Sequence, residues 1–149
     1  MGVSVTKIFR TGSIIALDTV IFIYAFEKHP QFGSISKDIF NAVESGRFQA
    51  VTSILSLGEI LTGAKKAGNE ELTMQYRAIF QHFPGLLVTD IDKAVIECMS
   101  DIRAKYEIPT PDAIHLGSAL VAGADFFVTN DARLKRFEEM PVILLKELG

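Results

Sequence analysis

The stretch Thr110–Asp131, T-P-D-A-I-H-L-G-S-A-L-V-A-G-A-D-F-F-V-T-N-D, holds a helix, a strand and two acids in one unit. Thr110 reads as an N-cap, Pro111 fits the first helical position because its missing N–H is not needed there, and Gly123 supplies the left-handed residue that ends a helix. The spacing therefore predicts a helix over Pro111–Ala122. Phe126, Phe127 and Val128 then form a short continuous apolar run, which suits a strand covered on both faces better than a half-exposed edge. Asp112 falls in the first turn of the helix and Asp131 just past the end of the strand. Acids do chemistry in both places, and in both places acids also merely cap helices.

Working toward the N-terminus, strands and helices alternate. Ile14–Leu17 reads as a buried strand ending in Asp18, and Thr19–Glu27 as an apolar first helix, although V-I-F-I-Y also suits an extended strand. Pro30 ends that element. Ser36 is expected to cap a second helix, with Ile39, Phe40 and Val43 on one face and Gly46 at its close. Phe48–Thr52 is the next strand. Ser53 opens a helix carrying Leu57, Ile60, Leu61 and Ala64 inward, Glu59 within it and Lys65 and Lys66 near its end. Asn69 caps another helix, Leu86–Thr89 is a third strand, and Asp92 starts a helix with Val95, Ile102 and Tyr106 at helical spacing. Beyond the opening stretch, a short helix at Ala132–Glu138 leads to a last strand at Val142–Leu145. Helices between nearly all strands argue for a mainly parallel sheet covered on both faces, a three-layer α/β/α sandwich.

Composition bounds the class. With 149 residues, 48% hydrophobic and 22% charged, one soluble globular domain is expected, over residues 14–149. Met1–Ser13 lacks the apolar core of a signal peptide and is expected to be a loosely ordered start. A formal net charge of −3 excludes a globally basic nucleic-acid binder but leaves room for a local basic patch. The lone Cys98 and the scattered His29, His82 and His115 offer neither an internal disulfide nor zinc-ligand spacing, and a reducing cytoplasm is the expected setting. The apolar run Ile14–Phe26 is too short for a membrane span and is broken by Asp18.

Parallel sheets bind ligands outside the carboxyl ends of their strands. Asp18 and Asp131 lie at such ends, Glu59 sits about two turns into the helix after the second strand, and Asp112 begins the helix leading into the fourth. Carboxylates converging there would repel one another unless a positive charge sat among them, and a hard divalent cation such as Mg²⁺ or Mn²⁺ suits oxygen ligands. Each acid also has a structural reading: Asp18 and Asp131 as helix caps, Asp112 as an answer to a helix dipole, Glu59 on an exposed helix face. Asp92 is assigned to capping, Asp125 to the opposite rim, and Asp90 to an outer position.

The segments L-D-T-V-I-F-I-Y-A from Leu17, T-S-I-L-S-L-G-E-I-L from Thr52, P-D-A-I-H-L-G-S-A-L from Pro111 and F-V-T-N-D-A-R-L from Phe127 resemble the PIN-domain ribonucleases, especially VapC-type toxins of toxin–antitoxin pairs. The resemblance runs from about Ile14 to the C-terminus. It implies a five-stranded sheet ordered 3-2-1-4-5, a nuclease domain over 14–149, and Asp18, Glu59, Asp112 and Asp131 as the acids that hold Mg²⁺ or Mn²⁺. It further implies a metal-dependent endoribonuclease acting on RNA, with a cognate antitoxin as partner. Val20 departs from the small polar residue that many relatives carry after D-T or D-S.

Thr19, Thr129 and Asn130 are expected to orient the acids, and His115, one turn after Asp112, to pack behind them rather than act as a general base. Lys65, Lys66, Arg133, Lys135 and Arg136 are candidates for backbone-phosphate contacts, or simply a solvated face. The apolar surplus of the first helix suggests a homodimer or antitoxin interface, or else burial on nearly all sides. A phosphatase of the haloacid-dehalogenase type is disfavoured, because it wants an Asp where Val20 stands. A PIN-type RNA- or protein-binding module without turnover is the remaining alternative.

Overall fold

The computed structural model describes residues 5–148. Five strands, β1 (Ile14–Leu17), β2 (Gln49–Ser53), β3 (Leu86–Thr89), β4 (Phe126–Thr129) and β5 (Val142–Leu144), form one sheet in the order β3-β2-β1-β4-β5. Every pairing is parallel, with Ala16 registered against Val51 on one side and Phe127 on the other. Between and around the strands run α1 (Val5–Ile8), α2 (Thr19–Phe26), α3 (Gly33–Glu44), α4 (Ile54–Lys66), α5 (Glu70–His82), α6 (Lys93–Tyr106), α7 (Thr110–Val121) and α8 (Leu145–Leu148), with a 3-10 helix at Ala132–Arg136. The expected sandwich and strand order are both present.

Alternation along the strands explains the layers. Ile15, Leu17, Ala50 and Val128 face one core with Ile21, Phe22 and Phe40, while Ala16, Val51, Phe127 and Val142 face a second with Ala113, Leu116 and Ile102. Successive strand residues point to opposite faces, so near-continuous apolar runs are what a sheet covered on both sides requires. On the second face α6 and α7 approach closely at Gly117, where an added Cβ would lie 3.3 Å from the Val95 carbonyl oxygen. Gly123 ends α7 at φ +74°, as its position suggested.

The first helix is helical, not extended. Ile21, Phe22 and Ala25 are buried, and Val20, Ile23, Tyr24 and Phe26 pack partly buried against the same core, so much of the apolar surplus is absorbed within the chain.

Three local expectations are corrected, at Ser36, Thr110 and the closing strand. Of the segment before β1, Met1–Ser4 lie outside the described residues, and two of its apolar side chains reach the core. Val5 and Phe9 are 4% and 1% exposed, and the Phe9 ring meets Phe48 and Phe126 edge-on at 5.7 and 5.1 Å. Burial of a ring outweighs the absence of any helix signal there. Ser36 does not cap α3: it is fully buried inside the helix, which starts a turn earlier because Phe32 stacks on His29 and takes the His29 Nδ1 as acceptor for its N–H. Thr110 is not the cap of α7 but its first residue, since the extended Pro109 (φ −58°, ψ 152°) takes the cap position. The closing strand stops at Leu144 and gives way to α8, whose Leu145 and Leu148 are buried. By contrast Ser53, Asn69 and Asp92 each accept a backbone N–H at the start of the expected helices.

Candidate active site

The carboxyl ends of β1 and β4 lie side by side, and the Asp18 N–H donates to the Val128 carbonyl at 3.0 Å. Asp18 caps α2 through Oδ1, which accepts the Thr19 N–H at 2.8 Å, while Oδ2 accepts the Thr129 hydroxyl at 2.6 Å. Thr129 is fully buried, and its hydroxyl oxygen also accepts the Asp131 N–H at 3.1 Å. One strand-end threonine thus sets two acids, and the capping role of Asp18 occupies only one of its oxygens.

Glu59 belongs to a different set of contacts. Its Oε1 accepts the Thr19 hydroxyl at 2.6 Å and the His115 Nε2–H at 2.7 Å. A carboxylate only accepts, so Nε2 must carry the hydrogen. Since the Thr19 hydroxyl donates its hydrogen bond to Glu59, its oxygen accepts from the Ser56 hydroxyl, 3.0 Å away. Ser56 in turn lies 3.0 Å from Thr52, which reaches the Leu17 carbonyl. Ser56 and Thr52, both buried, were not singled out in the sequence; the only signal was a small polar residue one turn before Glu59 in an otherwise apolar segment.

The electrostatics follow this division. Asp112 is held above the usual carboxylate range by burial and by the charges of Asp18 and Asp131, against weaker pulls from His115 and Arg133. Asp112, in α7, thus feels the like charges at the ends of β1 and β4. Glu59 is pulled down chiefly by its His115 hydrogen bond, with burial opposing and Thr19 assisting. Burial works against a charge on His115, but the Glu59 hydrogen bond and the charges of Asp18, Glu59 and Asp112 raise it overall. His115 is only 4% exposed, and its Nδ1 has no hydrogen-bond partner among the described residues.

Asp131 starts the 3-10 helix and accepts the Arg133 N–H. The Arg133 guanidinium grips the same carboxylate, with Nη2 at 2.7 Å from Oδ2 and Nε at 3.0 Å from Oδ1, and this pairing is the main reason its pKa lies below the ordinary value. Among the described residues no three His, Cys, Asp or Glu side chains stand close enough to hold an ion as they are arranged. Glu59 takes His115 as its donor and Asp131 takes Arg133. In chemistry the donor set suits a hard divalent cation: all four groups offer carboxylate oxygen, and the repulsion on Asp112 is only partly offset by His115 and Arg133.

The remaining expected residues divide. Thr19, Thr129 and His115 each hold an acid, whereas the recorded side-chain bond of Asn130 runs from Nδ2 to the Tyr24 hydroxyl at 3.4 Å. Of the five basic residues expected at the site, Arg133 pairs with one of the four acids, Asp131. Lys135 pairs with Glu147 at 2.6 Å, and Arg136 donates to the carbonyls of Arg133 and Tyr106. Lys65 and Lys66 are exposed at the end of α4, roughly 10 Å along the axis from Glu59. Asp125 sits at the opposite rim as expected, accepting the Ile14 N–H at 2.9 Å.

Across residues 15–140 the chain matches the family model described as PIN domain. No curated protein matches it. Among solved structures it is similar to VapBC2 of Rickettsia felis bound to a DNA fragment from its promoter, with 22% identity and a TM-score of 0.71 over 88% of this chain and 98% of that one. It is similar to DNA-bound VapBC of Salmonella typhimurium, with 23% identity and a TM-score of 0.67 over 89% of this chain and 98% of that one. VapC20 of Mycobacterium tuberculosis, described as a Sarcin-Ricin loop cleaving toxin, gives 15% identity and a TM-score of 0.63 over 76% of this chain and 86% of that one. At these identities the likeness is one of fold.

Proposed function

The chain belongs to the PIN domain family, and from that premise we propose that it is a metal-dependent endoribonuclease, hydrolysing phosphodiester bonds in RNA as the toxin of a toxin–antitoxin pair. The observation that carries this reading is that one buried threonine, Thr129, sets both Asp18 and Asp131 at the carboxyl rim of the sheet, where Asp112 feels their charges. Caps alone have no need to gather like charges. Asp18, Glu59, Asp112 and Asp131 are the residues that would hold Mg²⁺ or Mn²⁺. Bound there, the ion would supply Lewis acidity toward the phosphodiester and a water acidified toward neutral pH. Around it Thr129 orients Asp18, Thr19 and His115 orient Glu59, and the buried Ser56–Thr52 chain fixes Thr19.

The substrate we propose is single-stranded RNA or an exposed RNA loop, whose unstacked bases and backbone a protein reaches more readily than those of a duplex; VapC20 is described as a Sarcin-Ricin loop cleaving toxin. A cognate antitoxin is the proposed partner, in line with the VapBC complexes of similar fold, and a homodimer the assembly that sedimentation would test. Among the described residues no helix is long and apolar enough to cross a membrane. The setting we propose is a reducing cytoplasm, in which the lone Cys98 needs no disulfide partner.

The alternative, an RNA- or protein-binding module of PIN type without turnover, draws on one observation. Two of the four acids already have a basic side chain as partner, Asp131 in Arg133 and Glu59 in His115. Incubation of structured and unstructured RNA with the protein in Mg²⁺, Mn²⁺ or EDTA separates the two. Endonuclease activity predicts metal-dependent products with 5′-phosphate and 3′-hydroxyl ends. Cleavage that survives EDTA, or ends in a 2′,3′-cyclic phosphate, contradicts the metal mechanism, and binding with no cleavage supports the module.

A further inference from the structure

We propose that Arg133 is an exchangeable group of this site: it serves as counter-ion to Asp131 in the metal-free protein and becomes a ligand of an RNA phosphodiester when Asp131 is given over to a divalent cation. This rests on the metal-holding role of the acids and adds a substrate contact and an order of events to it.

Three features of the pair make it suited to exchange. The guanidinium fork spans both oxygens of Asp131, with Nε at 3.0 and 3.2 Å from Oδ1 and Oδ2 and Nη2 at 2.7 Å from Oδ2. The same planar fork matches phosphate, so the head needs no new chemistry to change partners. The Arg133 side chain is 72% exposed while the Asp131 side chain is 27% exposed, so the arginine gives up little packing by turning away.

Asp131 also keeps its place without the guanidinium. The Arg133 backbone N–H holds Oδ1 at 3.0 Å, and the Thr129 hydroxyl oxygen accepts the Asp131 N–H at 3.1 Å. The Arg133 backbone is itself pinned by Arg136, whose Nε donates to the Arg133 carbonyl at 3.2 Å. Only the side chain is left to move. Neighbouring bases are less available for this role, since Lys135 is paired with Glu147 and Arg136 is spent on backbone carbonyls.

The size of the effect follows from the exposure of the pair. An exposed ion pair is weak, and having to break one lowers an affinity by about 1.5- to 5-fold. Arg133→Met keeps the stem and removes the charge, and Arg133→Lys keeps a charge without the fork. Calorimetric titration of Mn²⁺ into the EDTA-stripped proteins should show Arg133→Met binding about 1.5- to 5-fold more tightly than the parent. With Mn²⁺ saturating, the KM for an unpaired oligoribonucleotide should rise in Arg133→Met, and rise less in Arg133→Lys. Equal or weaker Mn²⁺ binding by Arg133→Met, or an unchanged KM, overturns the exchange. If the parent itself binds no Mn²⁺, the metal-holding role fails and the exchange with it. Normal metal binding and cleavage by the parent, with Arg133→Met indistinguishable from it, overturns the exchange alone.

Discussion

Glu59→Gln in the metal-free protein probes the pair at the back of the site. The substitution keeps the shape of Glu59 and an oxygen for the His115 Nε2–H, at 2.7 Å, and for the Thr19 hydroxyl, at 2.6 Å, but removes the charge. Hydrogen bonds to charged groups contribute about 1.5–3 kcal/mol and neutral ones about 0.5–1.5. With the Glu59 side chain 37% exposed, screening lowers the difference to about 1 kcal/mol. For a chain of this size that is about 2–4 °C in Tm.

The pH dependence is the sharper signature. Glu59 lies below its ordinary value of 4.5, so its contribution is present above that value and lost as pH falls through the folded pKa. His115 lies above its ordinary value of 6.5, so its contribution is complete below that value and lost as pH rises through the folded pKa. The parent's advantage over Glu59→Gln should therefore be greatest between those two ordinary values and shrink on either side. Urea unfolding in EDTA across that range measures it. A difference that does not vary with pH, or a Glu59→Gln protein as stable as the parent at the centre of the window, would refute the ion-pair account.

Other expectations bear on the acids and on the fold. Asp112→Asn should stabilise the metal-free protein at neutral pH, because burial, Asp18 and Asp131 all oppose its charge. That gain should fade as pH falls through the raised pKa of Asp112 and its carboxylate takes up a proton in the parent, a trend that melts in EDTA at successive pH values would show. Phe9→Ala should cost about 3–5 kcal/mol in urea unfolding, since it empties a buried aromatic position between Phe48 and Phe126. A cost below about 1 kcal/mol would return the segment before β1 to the loose start expected from sequence.

What could be read from the chain, and what could not, divides along physical lines. Strands such as Phe126–Thr129 were legible because a parallel sheet buried on both faces needs continuous apolar runs, and strand ends then placed Asp18 and Asp131. Caps at Ser53, Asn69 and Asp92 were legible because each is a local contact within three residues. Ser36 and Thr110 misled because other contacts set the starts of those helices: the His29–Phe32 stack in one, the extended Pro109 in the other. The segment around Phe9 was missed because its order comes from distant rings. Lys135 and Arg136 read, like Arg133, as candidates for phosphate contact on charge alone, while their pairing with Glu147 and backbone carbonyls is seen only in the fold. The split of the acids, Asp112 feeling Asp18 and Asp131 while Glu59 is held by His115, likewise depends on which helices meet.

The most direct test of the central claim, that these acids hold a divalent cation, is the Mn²⁺-dependent melting of the parent beside Asp18→Asn and Asp131→Asn. Asn caps helices about as well as Asp, so in EDTA neither variant should lose much stability. At a Mn²⁺ concentration about 100 times its dissociation constant the parent should gain about 2.7 kcal/mol, and each variant much less. Equal Mn²⁺-induced shifts in all three proteins would return Asp18 and Asp131 to ordinary helix caps and contradict the nuclease mechanism.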